Sequence, residues 1–439
     1  MVRMDIAPPA DAVTPVPAAS SRWLRNAAIF LGAQIVSLIG SSIVGYAVIW
    51  YITLKTGSGT QYAMLLIASQ LTQGLAGIPG GVWADRYSRK MLIIASISLN
   101  AAATLGLAIH FIQGHQELGL IVAILAFRGL MSGVQSPNLG ASLPQLVPKQ
   151  HLMRVNSLNS AAQAVIYVGA PAIAAVLITK VTLGWIFIVD VIAAVCAALL
   201  MLVVRLPRLP RVVDPAGPTG LRSYGHDIGE GLRAIGRHPG LVRGVAIFAF
   251  LQCITLPVTQ MTPVFITRYL GRDQWMLAAG EICFSSGMVV GGLFMTAWGG
   301  LRNRMSLIML ASAGLTIGTV LMGASTNIWW FCAVMVLGGL TLPMLTASAT
   351  TAVQENVDPA VLGRVMSLLN LVLAVAGPIG VAVFGPLADH ISLRLICFVV
   401  AGATACFLLV LQLRGGPGSQ LLATAAPSQT GDSEVPELA

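Results

Sequence analysis

The sequence predicts an all-α membrane protein, with twelve transmembrane helices in two pseudo-symmetric six-helix bundles. Three observations lead to this fold class. Of 439 residues, 56% are hydrophobic and 9% charged, whereas a soluble domain carries about 25% charge; the chain has too few polar side chains to cover a water-exposed surface. The apolar residues gather in runs of about 20, the length a helix needs to cross a hydrocarbon core, and not in the short alternating segments of a lipid-facing β-barrel. The runs also divide evenly about one polar gap.

In chain order, the runs lie near 27–53, 62–84, 91–112, 118–138, 155–179 and 183–204, then near 243–267, 275–298, 305–324, 328–352, 361–387 and 392–412. The gap between the two sets holds Arg205, Arg208, Arg211, Arg222, Arg233 and Arg237, with Pro207, Pro210 and Pro215. It reads as a cytoplasmic linker at 205–240 carrying an amphipathic helix near 221–237. The bundles are then 26–204 and 241–413. Residues 1–25 and 414–439 are poor in large apolar side chains and are expected to be disordered cytoplasmic tails. The run that begins near residue 27 is too long for a signal-peptide core, so an uncleaved first span is expected.

Basic residues set the orientation. With the N-terminus in the cytoplasm, 19 of the 25 Lys and Arg fall at inner loops and span ends. Five fall outside (Lys55, Lys180, Arg268, Arg272 and Arg394), and Arg128 lies within a span. An excess of bases inside is the usual bias. The same placement excludes nucleic acid as a partner despite a net charge of +9, because no basic face or aromatic-studded groove forms. The six cysteines all lie in apolar runs without a CxxC pair and are read as small buried hydrophobes. His110, His115 and His390 lack ligand spacing, so no metal or other cofactor is expected.

The halves repeat weakly. Gly129 to Leu158 and Gly339 to Leu368 place Arg154 opposite Arg364 and Leu158 opposite Leu368, and GAP at 169–171 echoes AGP at 376–378. Two related six-helix units joined by a polar linker can rock about a central site.

Three charged residues lie inside greasy runs: Arg128, Asp190 and Glu281. A charge at the centre of a bilayer costs roughly 2.5–3.5 kcal/mol even on the mildest insertion scales, so such groups face a bundle interior or a wet path. Desolvation raises a carboxyl's pKa while water or a cation lowers it, so alternating exposure loads and releases a proton. Glu281, Asp190 and Arg128 are thus the proton-coupling candidates. An interhelical hydrogen bond for either acid, and a permanent ion pair for Arg128, stand beside that role.

Residues 80–90 read GGVWADRYSRK, at a tight inner turn. Gly81 would let a neighbouring helix approach, Asp85 would accept from a helix N-terminus or an arginine, and Arg86, Arg89 and Lys90 would make contacts that break as the halves move. Together they form a candidate cytoplasmic latch. Anchoring at headgroups explains the three bases but not Gly81 or Asp85.

Gly81, Asp85, Arg86, Arg89 and Lys90 in this spacing resemble the loop signature of the major facilitator superfamily, with Ser88 where that pattern often has glycine. AQIVSLIGSSIVGYAVIWYITLKTGS at 33–58 is similar to the opening span of the macrolide-efflux branch of its drug–proton antiporters. So are Arg128-Gly129-Leu130, VDPAVLGRVMSL at 357–368 and GPIGVAVFGPLAD at 377–389. The resemblance implies the major facilitator fold and a multi-pass place in the bacterial cytoplasmic membrane, with both termini inside. It further implies proton antiport by alternating access, exporting amphiphilic drugs, macrolides and hence antibiotic resistance among them. The superfamily's arginine pattern in the fourth span also carries a glutamine that is missing after Arg128, and the antiporters' Gly-Pro pattern in the fifth span is reduced here to GAPAIAA at 169–175. Symport therefore stays open beside exchange.

Bends are expected at Gly169, Pro171, Pro257, Pro263, Pro343, Gly377, Pro378 and Pro386, where helices lose a donor or pack closely. Candidate pocket residues are Gln34, Ser37 and Ser41 with Gln252, Thr255 and Gln260, and Tyr46, Trp50, Tyr167 and Phe250 for broad apolar contact. That mixture suits an amphiphilic small molecule; aromatic packing toward lipid is equally open for the rings. The expected partners are such a substrate, protons and the bilayer, with the protein a monomer. Export or import of a physiological solute such as a siderophore is the alternative, and a non-transporting receptor or structural protein the alternative of another class. No phosphate-binding G-x-x-x-x-G-K-[ST] loop occurs, which disfavours an ATP-driven pump, and nothing in the sequence points to an enzyme.

Overall fold

The computed structural model describes residues 22–206, 239–271, 273–298, 303–357 and 359–413, together with 229, 233, 235 and 236. Most of the linker foreseen at 205–240, residues 1–21 and 414–439 of the two tails, and residues 299–302 lie outside the described residues; Arg22 to Arg25, counted with the first tail, instead begin a helix.

The described chain forms twelve helical runs. In the first half these are α1 (Arg22–Thr56), α2, α3 (Arg89–Ile112), α4 (Leu118–Leu146), α5 (Lys149–Lys180) and α6 (Leu183–Val203). Run α2 joins Gly59–Leu66 and Thr72–Arg86 through a π turn at Ile67–Leu71. In the second half, α7 joins Pro239–Phe250, a π turn at Leu251–Thr255, Leu256–Gln260 and Thr262–Tyr269. It is followed by α8 (Gln274–Trp298), α9 (Arg304–Gly323), α10 (Ile328–Asn356), α11 (Pro359–His390) and α12 (Leu393–Leu413). Eleven of the described helices are long and apolar enough to cross a membrane; α2 is not among them. Its middle carries Ser69, Gln70, Thr72 and Gln73. Several helices outrun their apolar stretches, notably α4, α5 and α11. Hydropathy marks only the part within hydrocarbon, while backbone hydrogen bonding continues into the polar ends.

Large side chains such as Trp185, Ile192, Leu199, Val399 and Leu409 are exposed, as befits helix faces turned to lipid. Cys196 and Cys406 are also exposed, while Cys332 and Cys397 are buried. The expectation of six buried thiols therefore fails for Cys196 and Cys406: in a membrane, an apolar surface position needs no cover from water.

The two halves use the same helix pairings. In the first, α2 packs on α4 and α3 on α6; in the second, α8 packs on α10 and α9 on α12. Gly129 and Gly339, matched by the sequence repeat, have matched jobs. A Cβ on Gly129 would collide with Ser69 of α2, and one on Gly339 with α8, 2.9 Å from Met288 N. Close helix approach through small residues is the usual source of membrane packing, since lipid removes most of the hydrophobic drive. The halves meet through α2 on α11 and α5 on α8, the same pairing twice by the repeat.

The buried cores show how the halves are disposed. One core stays within the first half (Phe30, Ile93, Leu143, Met201) and another within the second (Phe248, Ile308, Leu345, Val365). The largest is shared by both, with Val44, Tyr62 and Phe187 joined to Phe265, Phe331 and Val381. The shared core lies toward the end of the bundle that carries residues 56–60, 268 and 389, and the separate cores lie toward the opposite end. The halves are therefore closed together at one end.

Candidate functional site

Both π turns face the gap between the halves. In α7 the cause is local: Pro257 has no N–H, and its ring would strike the carbonyl of Cys253 four residues earlier. The chain relaxes into a π turn, and Gly380 of α11 crosses there, where a Cβ would come 2.5 Å from Cys253 O. In α2, Ser69 Oγ donates to Leu65 O at 3.0 Å and Thr72 Oγ1 donates to Ala68 O, so hydroxyls serve carbonyls around the turn.

Between the turns lies a cavity of about 720 Å³, within the roughly 300–1,000 Å³ typical of small-molecule sites. Ser42, Tyr46 and Trp50 of α1 line it, with Tyr62, Ser69, Gln70 and Gln73 of α2. From the second half come Gln252, Thr259 and Gln260 of α7, Glu281 and Phe284 of α8, Met322 of α9, Thr346 of α10 and Gly377 of α11. At its head, Tyr62 Oη donates to the Gln260 carbonyl across the two halves. Glu281 is half-buried in the wall and makes no hydrogen bond or ion pair with any described residue.

Beyond the head of the cavity, the halves are joined by one carboxylate. Asp389, at the end of α11, accepts from Ser58 Oγ at 2.9 Å, Gly59 N at 2.7 Å, Thr60 N at 2.9 Å and Thr60 Oγ1 at 2.6 Å. These are the N-cap and first turn of α2, whose unpaired N–H groups attract a negative charge. Arg268 of α7 pairs with the same carboxylate and donates from Nε to Gly57 O at 2.7 Å. Gly59 and Gly385 cross here; a Cβ on Gly385 would sit 2.7 Å from Gly59 O.

Arg128 and Asp190 lie elsewhere, inside the first half. Arg128 Nη1 is 2.5 Å from Asp190 Oδ2, and the two side chains are 9% and 4% exposed. Arg128 also donates to Thr104 Oγ1, and Ser41 Oγ approaches Asp190 Oδ1 at 3.5 Å. Neither member of the pair lines the cavity.

Of the pocket candidates, Tyr46, Trp50, Gln252 and Gln260 line the cavity, and Gln34, Ser37, Ser41, Tyr167, Phe250 and Thr255 do not. The reason on α1 is rotation. Its lining face is Ser42, Gly45, Tyr46, Ile49 and Trp50, and Ser41 is one step round the helix, turned to Asp190. Gln34 and Ser37 are half-buried farther from that face. Phe250 stacks on Phe407 at 4.1 Å, and Thr255 meets Thr404 at 2.9 Å, both within the second half. Tyr167 is 49% exposed, and its carbonyl accepts from Ser285 of α8 at 3.3 Å. The sequence reading missed Tyr62, Gln70, Gln73, Thr259, Phe284 and Thr346. The signal for two of them was available: glutamines at 70 and 73 are polar intrusions in an otherwise apolar run.

At the opposite end, Arg89 Nη1 donates to Ala141 O at 3.0 Å, and Lys90 Nζ donates to Leu202 O at 2.7 Å and Val204 O at 2.8 Å. Lys90 thus caps the carbonyl end of α6, where a cation is favoured. These contacts stay within the first half. The close approach foreseen for Gly81 falls on Gly80: a Cβ at Gly80 would lie 2.8 Å from Val134 Cα, and one at Gly81 would meet nothing within 4 Å. The side chains of Asp85 and Arg86 lie outside the described residues. Among the expected bends, Pro257 follows the π turn and Pro263 the break at Met261. Pro171, Pro343, Pro378 and Pro386 sit within helices that run on through them, as do Gly169 and Gly377.

Comparison with known proteins places this architecture. Residues 30–381 match the model of the Major Facilitator Superfamily. The chain belongs to that superfamily. It is a multi-pass membrane protein and a secondary active transporter, not an enzyme. Macrolide efflux protein A of Streptococcus pyogenes is 29% identical over 379 residues, covering 85% of this chain and 92% of that protein. Enterobactin exporter EntS of Shigella boydii serotype 18 is 24% identical over 374 residues, covering 82% and 84%. Among solved structures, a POT family transporter in complex with a thioalcohol-conjugated peptide superposes with a TM-score of 0.69 at 11% identity, covering 89% of this chain and 96% of that one. Nucleoside transporter NupG gives 0.64 at 13% identity, covering 90% and 99%. At these identities the structural likeness speaks for the fold alone.

Proposed function

We propose that this superfamily member exports amphiphilic drugs, macrolides among them, by proton antiport and alternating access. The observation that carries this is the Glu281 carboxylate, paired with none of the described residues, in the wall of a drug-sized cavity between the halves. In this scheme residues 26–204 and 241–413 are the rocking bundles and 205–240 is the cytoplasmic linker. Both termini are cytoplasmic by the bias of Lys and Arg, so the end closed by Asp389 and Arg268 faces outward and the cavity is offered to the inside. Opening that end lets a proton reach Glu281 from outside; closing it returns the acid to the cytoplasmic side. The similarity to macrolide efflux proteins over most of both chains supports the cargo class. Arg128 and Asp190 are assigned a supporting place within the first bundle, and Arg89 and Lys90, with Asp85 and Arg86, the latch of the opposite end.

The test is drug efflux from cells before and after collapse of the proton gradient. Efflux that stops with the gradient is expected; unchanged efflux would rule out proton drive. The likeness to an enterobactin exporter favours a second cargo, a siderophore. Accumulation of both compound classes in sealed vesicles separates the two.

A further inference from the structure

The seam between α8 and α10 brings two thiols face to face. Its register follows from glycines. A Cβ on Gly287 would lie 3.1 Å from Gly339 Cα, and one on Gly291 would lie 3.0 Å from Leu340 Cα. Residue numbers rise together along the two helices, so they run parallel. Cys283, Gly287 and Gly291 recur every four residues on one face of α8, and Cys332, Val336 and Leu340 do so on α10. Cys283 and Cys332 are therefore each one turn from the glycine crossing, on the same side of it. Cys332 is 9% exposed within the core shared by the halves, and Cys283 is half-buried against that core. Their thiols share a hydrogen bond, and neither is tied up in a disulfide.

Neither cysteine lines the cavity, and the proposed transport cycle makes no use of them. Packing asks only for small apolar side chains at such a seam, whereas two thiols in contact have a chemistry of their own. In apolar surroundings a product without charge is favoured. A disulfide carries none, while two thiolates on a monovalent soft metal ion keep a net negative charge. A disulfide needs Cα atoms about 4.4–6.8 Å apart, and a crossing where backbone meets backbone brings the two helices that near.

We propose that Cys283 and Cys332 are an oxidation site, which a hydroperoxide converts to a disulfide tying α8 to α10. Cys283, the more exposed of the two, reacts first. Its sulfur takes one oxygen of hydrogen peroxide, the O–O bond breaks, and the thiol proton leaves with the other oxygen as water. The Cys332 sulfur then attacks the sulfenic sulfur of Cys283. The S–S bond forms, the S–O bond breaks, and the hydroxyl leaves with the Cys332 proton as a second water. Two thiols and one peroxide thus give one disulfide and two waters, with two electrons passing from sulfur to oxygen. Exchange with an external dithiol reverses the step. Glu281 and Phe284, on either side of Cys283 in the chain, stand in the cavity wall, so the bond fixes the stretch of α8 that shapes the cavity.

The experiment uses the purified full-length protein, one copy per nanodisc, so that no bond forms between chains. Hydrogen peroxide is raised until the exposed Cys196 and Cys406 are oxidised. The remaining thiols are then alkylated in denaturant, and unreduced digests are read by mass spectrometry. A peptide pair joined through Cys283 and Cys332 is expected, at least about tenfold more abundant than any other cysteine pairing, because groups held together react at a raised effective concentration. Dithiothreitol should return both thiols. Cys332→Ser should stop the reaction at a Cys283 sulfenic acid that dimedone traps, and Cys283→Ser should leave the Cys332 thiol free for alkylation. The wild-type result decides the matter without either variant. Recovery of both residues as free thiols at that dose overturns the assignment, and so does their oxidation without a bond between them. Every outcome is read by mass, so drug efflux can hold or fail without bearing on this site.

Discussion

Asp389→Asn tests the closed end. Every group that meets this carboxylate is a donor: Ser58 Oγ, the amides of Gly59 and Thr60, Thr60 Oγ1 and the Arg268 guanidinium. A carboxylate is acceptor-only, whereas an asparagine must turn its NH₂ toward one side. The substituted side chain can therefore keep either Gly59 N and Arg268, which share Oδ1, or Ser58 and Thr60, which share Oδ2, and it sets an NH₂ against donors on the other side. The Asp389 side chain is 23% exposed, so solvent screening reduces each contact well below its buried worth. A carboxylate at a helix N-terminus contributes about 0.3–1 kcal/mol, and one charge-assisted bond about 1.5 kcal/mol at the lower end. The closed state should lose about 2 kcal/mol relative to one open at this end, roughly a 30-fold shift in their ratio. Amide hydrogen exchange reads this at Thr262–Tyr269, a segment of α7 whose amides do not touch Asp389. Faster exchange there, by roughly tenfold or more, is expected if the ends part. Exchange within about twofold of the wild type, with the change confined to residues 59 and 60, would show that the contact is a local cap with no hold on the halves.

Three further outcomes follow from the same geometry. Glu281→Gln should abolish proton-driven drug movement in proteoliposomes given an imposed pH gradient; full active transport by this variant would remove Glu281 from the coupling route. Asp190→Asn or Arg128→Leu alone leaves one buried charge uncompensated and should cost about 3–5 kcal/mol, whereas replacing both with apolar residues should recover most of it. Thermal unfolding in detergent measures the cycle, and equal losses in the single and double variants would contradict a closed pair. Gly80→Ala should destabilise by about 1–3 kcal/mol, because its Cβ meets Val134 backbone that cannot yield. Gly81→Ala, with open space around it, should be close to neutral, and the reverse order of melting temperatures would refute the crossing.

The spans and the repeat were legible because the bilayer imposes a length and an apolarity that sequence records directly. Gly129 and Gly339 were matched by their neighbours in sequence, and they make equivalent crossings. The cavity was legible only in part, because its lining depends on helix rotation and one residue is 100° of it. Ser42 faces the gap and Ser41 faces Asp190. The closed end was not legible at all. Ser58 followed by Gly59 and Thr60 has the look of a helix start, yet the acid that completes it comes from α11, 331 residues away from Ser58. Nothing in either segment names the other. The π turns were half legible: Pro257 gives a reason for the one in α7, and the one in α2 has no proline within it.

The two deep acids divide the work by what surrounds them. A buried pair such as Arg128 and Asp190 recovers its desolvation only through its own Coulomb attraction and hydrogen bonds, and here Thr104 and Ser41 complete the set. Gly40 leaves room for it; a Cβ there would sit 2.8 Å from Asp190 Oδ1. With that shell in place, both members stay buried away from the cavity unless the first bundle itself opens. Glu281 is under the opposite constraint. It sits where the two bundles part, with no cation beside it among the described residues lining the cavity. A rocking motion of rigid halves changes the surroundings of a residue between them far more than those of residues within one. In the proposed antiport scheme, coupling through Glu281 needs only that motion, while coupling through Asp190 needs an additional and costly one, and the simpler route puts the proton and the ligand in the same cavity.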